Sequence, residues 1–149
     1  MLLIVIFIIA CNDKEQDKGL PMNNIGKSDL SKYKELALTK GDTNAYYQLQ
    51  LDYMDSPYKG FLNIAMNMAD KHGYHLAYYN VYECLTDEST DLNTLSEKNK
   101  DLALKYLIEG ANKGNRNCMN ILGNFYVEGK YLKKDIEKGK ELIKKSNIE

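Results

Sequence analysis

An all-α protein made of repeated helix pairs is what this sequence predicts, and three observations carry the expectation. The first is composition. The 149 residues hold only two prolines, Pro21 and Pro57, and long stretches of Leu, Ala, Lys and Glu, which favour helix. The second is punctuation: Lys40-Gly41, Lys71-His72-Gly73 and Lys113-Gly114 each close a helical stretch. Glycine is favoured just past a helix end because it accepts a positive φ, and a lysine there suits the negative end of the helix dipole. The third is phase. Four residues after each glycine stand Ala45, Ala77 and Cys118; eight after stand Leu49, Val81 and Leu122; twelve after stand Tyr53, Leu85 and Tyr126. Steps of four keep such residues on one broad helical face, so three equivalent helices repeat along the chain.

Residues 1–10, MLLIVIFIIA, form an uncharged apolar run that ends at Cys11, after which the sequence turns polar at once. Ten helical residues at about 1.5 Å each cover about half of a ~30 Å hydrocarbon core. That is too short for a spanning helix and right for the apolar part of a signal peptide. Ile8-Ile9-Ala10-Cys11 resembles the lipobox of bacterial lipoproteins. The resemblance implies cleavage before Cys11, acylation of its thiol and new amino group, and a stable membrane anchor. Residues 11–27 include Gly19, Pro21, Asn23, Asn24 and Gly26, show neither helical nor strand period, and read as a flexible tether. The helical repeat domain is expected over 28–149.

Within that domain a leading helix runs over about Ser28 to Lys40. Each of the three glycine-phased helices is then followed by a second one. The first is expected from about Pro57 to Lys71, with Ser56 as N-cap and Pro57 at the first helical position. The next runs from about Ser96 to Lys113, where Thr94 and Glu97 have capping-box spacing, and the last from about Lys134 to Ser146.

The last copy carries a family resemblance. Cys118, Leu122-Gly123, Tyr126, Gly129, Lys134-Asp135 and Gly139 fall in the order of a Sel-one-like repeat, a relative of the tetratricopeptide repeats. Ala103, Tyr106, Ala111 and Gly114 match its second helix in the middle copy. Gly139 and Cys118 stand where the pattern usually has alanine, and Gln50 and Tyr82 replace the glycine of Leu-Gly. The resemblance implies a short α-solenoid of about three antiparallel helix pairs, with the first helices lining its concave face. Units of this kind bury their apolar faces only against their neighbours.

Little in the sequence points to chemistry. His72 and His75 are the only histidines, Gly73 separates them, and no cysteine completes a tetrahedral metal set. Cys84 lies eleven residues after Gly73, and Cys118 lies four after Gly114. In neighbouring parallel helices the offset is about 10 Å, beyond the about 7 Å that a disulfide tolerates between Cα atoms. Two unbridged, largely buried thiols are expected, with no histidine placed to activate either. There is no phosphate loop and no nucleophile elbow. No catalytic residue, cofactor or metal is therefore assigned. Twenty basic against twenty-one acidic residues give no electrostatic footprint for nucleic acid.

What remains is binding. Tyr47 and Tyr79 each stand six residues after their glycine. Tyrosine offers a large contact area at low ordering cost, with a polar tip. These two, with Gln48, Asn80 and Glu83, are the candidate partner contacts. The acidic loop Thr86 to Ser96 is either a recognition loop or a tolerated insertion. The lysine-rich last helix reads as a solvated cap on the stack. The expectation is a lipid-anchored protein of the bacterial envelope that docks another protein and touches the membrane only through its anchor. An immunity protein neutralising a toxin from a competing bacterium is the narrower alternative, and an accessory subunit of an envelope enzyme a further one.

Overall fold

Each glycine mark reverses the chain, and the backbone hydrogen bonds show how. Gly41, Gly73 and Gly114 all have positive φ, at 68°, 64° and 87°. Past each of them an amide folds back onto the helix just ended: Asp42 N to Leu36 O (3.3 Å), Tyr74 N to Met68 O (3.0 Å) and Asn115 N to Gly110 O (2.9 Å). The last-turn carbonyls that a helix end exposes are thereby satisfied.

A computed structural model describes residues 27–54, 60–86 and 91–148. Among them the chain is all-α, with seven helices: α1 (Lys27–Lys40), α2 (Thr43–Met54), α3 (Leu62–Asp70), α4 (His75–Thr86), α5 (Glu97–Asn112), α6 (Arg116–Glu128) and α7 (Ile136–Ser146). The three glycine-phased helices are α2, α4 and α6. The expected signal peptide, Cys11 and almost all of the tether lie outside the described residues, as do Ser56 and Pro57. No described helix is long and apolar enough to cross a membrane.

The packing is local. α1 rests on α2, α3 on α4, α4 on α5, α5 on α6 and α6 on α7, with α1 also touching α3 and α4 touching α6. One continuous core runs through these contacts, with Tyr46, Leu49, Phe61, Met68, Val81, Leu92, Tyr106, Leu107 and Cys118 among its most buried members. Burying a large apolar side chain is worth about 1.5–3 kcal/mol. The four ion pairs among the described residues are all within one helix and at its surface: Lys100–Glu97, Lys105–Glu109, Lys140–Glu137 and Lys145–Glu141. Pairs of that kind contribute little, so apolar burial holds the helices together.

The caps differ from expectation in instructive places. α5 is capped by Ser96, whose hydroxyl accepts from Asn99 N at 3.3 Å. The Thr94–Glu97 capping box does not form, because Thr94 sits in a 3-10 turn (Leu92–Thr94) and its hydroxyl donates to Asp91 O at 2.7 Å. That turn buries Leu92 completely, so the second half of the acidic loop is docked on the core rather than left loose. α7 opens at Ile136, two residues later than expected, with the Asp135 carboxylate as its cap, accepting from Lys138 N at 3.0 Å. Lys71 and His72, at the end of α3, serve a neighbouring helix rather than their own. Lys71 Nζ lies 3.0 Å and His72 Nε2 3.1 Å from the Leu38 carbonyl of α1.

Candidate partner-binding face

The outward face of α2, α4 and α6 follows from the same glycine count that defines the core. Residues three, six and ten after each glycine lie on one stripe, since steps of three and four stack on a helix. The stripe reads Asn44, Tyr47, Leu51 on α2, Leu76, Tyr79, Glu83 on α4, and Asn117, Asn120, Asn124 on α6. All nine are exposed or half-buried, and Glu83 is the only charged residue among them.

Hydrogen bonds set the neighbouring helices in register. Tyr46 of α2 donates through its hydroxyl to Asn80 Oδ1 of α4 at 2.8 Å. Asn115, just before α6, is buried and does two jobs. Its Oδ1 accepts from Cys118 N at 2.9 Å, capping α6, and its Nδ2 donates to the His75 carbonyl of α4 at 3.0 Å. Asp42 caps α2 in the same way, accepting from Ala45 N at 2.9 Å. Sequence reading passed over Asp42 and Asn115, although a short polar residue directly after a helix-ending glycine is a recognisable N-cap signal.

The five predicted contacts separate into three classes. Tyr47 is 54% exposed and points to solvent. Gln48, Tyr79 and Glu83 are half-buried. Asn80 is a correction: it is 3% exposed and belongs to the core. Its carboxamide is consumed on both sides, by the Tyr46 hydroxyl and by donation from Nδ2 to Glu83 Oε2 at 3.1 Å. A buried amide must be satisfied internally, and this one is. Leu76, which the sequence reading did not single out, is 44% exposed beside Tyr79.

Glu83 lies on this face and accepts from Asn80 Nδ2 at 3.1 Å. Burial pushes the Tyr79 phenol above its ordinary range, and the nearby Glu83 carboxylate pushes it further the same way. The same charge bears on Tyr46 across α2 and on Cys118 across α6, adding to the burial that already raises both. Cys118 is fully buried with its thiol pushed up to about 12, so it stays protonated at neutral pH. No disulfide joins it to Cys84. His72 is turned to Leu38 and His75 to the ring of Tyr74, 5.7 Å away. Among the described residues no group of three or more His, Cys, Asp or Glu is placed to hold a metal ion.

Comparison of the chain with protein-family models, curated proteins and solved structures finds no match.

Proposed function

We propose that this chain is a protein-docking module of the bacterial envelope: a short solenoid of Sel-one-like helix pairs, tethered through Cys11, that receives a partner on the face of α2, α4 and α6. The observation that carries the docking is the exposure of Tyr47 and Leu76, 54% and 44%, beside Tyr79 on a nearly uncharged stripe. A tyrosine pair with an adjacent aliphatic side chain on a rigid scaffold has the composition of an interaction hot spot. The repeat reading is supported by the shared glycine phase and, among the described residues, by helices that pack mainly on near neighbours in the chain. The anchor is supported by the abrupt polarity change at Cys11.

Cross-linking of the full chain in intact cells tests the docking. A partner cross-linked through this face should be lost about tenfold on Tyr47→Ala, the cost of one interface aromatic worth a little over 1 kcal/mol. Undiminished cross-linking in that variant contradicts the proposal. Fractionation tests the anchor: Cys11→Ser should leave the membrane fraction, and unchanged partition counts against lipidation.

A further inference from the structure

The docking face is electrostatically one-sided. α2 and α4 contain no lysine or arginine, and their only charged residues are Asp52 and Glu83. The lysines concentrate on α1, α5 and α7 instead. The one cationic side chain on α6, Arg116, is turned to the end of α7, where its Nε donates to Ser146 O at 2.8 Å.

Glu83 is therefore a half-buried carboxylate with no ion pair among the described residues. Its side-chain hydrogen-bond donor there, the Asn80 amide, is neutral. A carboxylate offers about four lone-pair sites, so one neutral donor leaves most of its acceptor capacity open. Partial burial lowers the screening of its charge. The ring of Tyr79 stands one turn before it on the same stripe, with the exposed Tyr47 on the neighbouring helix.

We infer that Glu83, one turn after Tyr79 on the same face of α4, is the anchor point for a cationic side chain, preferably an arginine, projected by the partner protein. An arginine fits best because its planar guanidinium forks onto a carboxylate while stacking on an aromatic face. This rests on the docking reading and adds the chemistry of the partner: the segment that enters the face is basic.

The test uses the full chain and two synthetic peptides, acetyl-Gly-Gly-Arg-Gly-Gly-amide and its citrulline counterpart, which keeps the shape and lacks the charge. Aromatic NMR resonances of Tyr47 and Tyr79 report binding. The arginine peptide should shift both saturably with a dissociation constant of about millimolar. The citrulline peptide should not, and Glu83→Gln should weaken the arginine peptide by about tenfold. Equal shifts from the two peptides on the unaltered protein overturn the inference, as does undiminished binding in Glu83→Gln that retains the unaltered melting temperature. The two readings fail separately: a cross-linked partner lost in Tyr47→Ala but kept in Glu83→Gln leaves docking standing and removes the cationic anchor, whereas one kept in Tyr47→Ala removes docking itself.

Discussion

Gly123 and Gly139 meet backbone to backbone where α6 crosses α7. A Cβ built on Gly139 would stand 2.6 Å from the carbonyl oxygen of Gly123, and one built on Gly123 would stand 2.9 Å from the carbonyl oxygen of Gly139. Neither obstacle is a side chain that can swing away. Glycine at 139 is therefore required by a helix crossing closer than alanine allows.

The first prediction follows from that contact. Gly139→Ala gains about 1 kcal/mol of helix propensity and forces α6 and α7 apart, at a typical overpacking cost of about 1–3 kcal/mol. The net should be destabilising in chemical denaturation, with amide exchange faster across α7. Gly73→Ala serves as the contrast. No atom lies within 4 Å of its Cβ position, but its φ of 64° is left-handed, so it should lose about 1–2 kcal/mol from backbone strain alone and leave α7 exchange unchanged. Faster α7 exchange in both variants to the same degree would contradict the packing account.

The second prediction concerns alkaline pH. Burial raises the phenols of Tyr46 and Tyr106, the latter also held by a 2.6 Å hydrogen bond to Asp70, and brings Tyr82 and the Cys118 thiol to about 12. Folding thus favours the protonated forms. Their contribution is intact below the ordinary values of 9.0 for the thiol and 10.0 for a phenol, and is lost as pH rises toward the folded values, because the unfolded chain releases its protons first. Melting temperature should fall steeply above about pH 9–10, with Tyr46, Tyr82 and Tyr106, followed by their own NMR resonances, ionising only together with loss of helix. Ionisation of these three well before the helix melts would show their phenols to be accessible.

The third prediction concerns acid. Tyr131 sits at a positive φ of 64°, packs its ring edge-on against Phe125 at 4.8 Å, and places its hydroxyl between two groups of the acidic loop. It donates to Asp91 Oδ1 at 2.7 Å and accepts from Leu92 N at 3.0 Å. The Tyr131 hydroxyl, then the Asn93 amide, hold the Asp91 carboxyl below its usual range. A depressed folded value stabilises above the ordinary carboxylate pKa and is lost as pH falls through the folded one. The Leu92 amide should be protected from exchange at neutral pH and lose protection in acid, and in Tyr131→Phe it should exchange fast at both. Unchanged protection in that variant would remove Tyr131 as the clasp.

The fourth prediction concerns Asn115. Replacing it with Ala removes a helix cap and the bond that ties α6 to the start of α4. The expected loss is about 1–3 kcal/mol. Asn115→Asp keeps the cap acceptor but not the Nδ2 donor, so it should recover only part of the loss. Full recovery would mean that the link to His75 contributes nothing.

By itself, the sequence determined the elements and their phase. Helix ends at Gly41, Gly73 and Gly114 were legible because a positive φ and a reversed amide depend on the residues within one turn. The buried positions four and eight after each glycine were legible because helical periodicity is a local property; Ala45, Leu49, Ala77, Val81, Cys118 and Leu122 are all core. Tertiary structure alone decided the distances between helices and the environment of each polar group. Asn80 reads as a surface amide from its position beside Tyr79, yet Tyr46 and Glu83 draw it inside. Tyr131 and Asp91, forty residues apart, become partners only because the loop folds onto the end of α6. Gly139 looks like a weak spot in a helix until α6 is placed against it. Period and capping act within a turn, whereas close approach and desolvation belong to pairs of segments that the chain brings together only on folding.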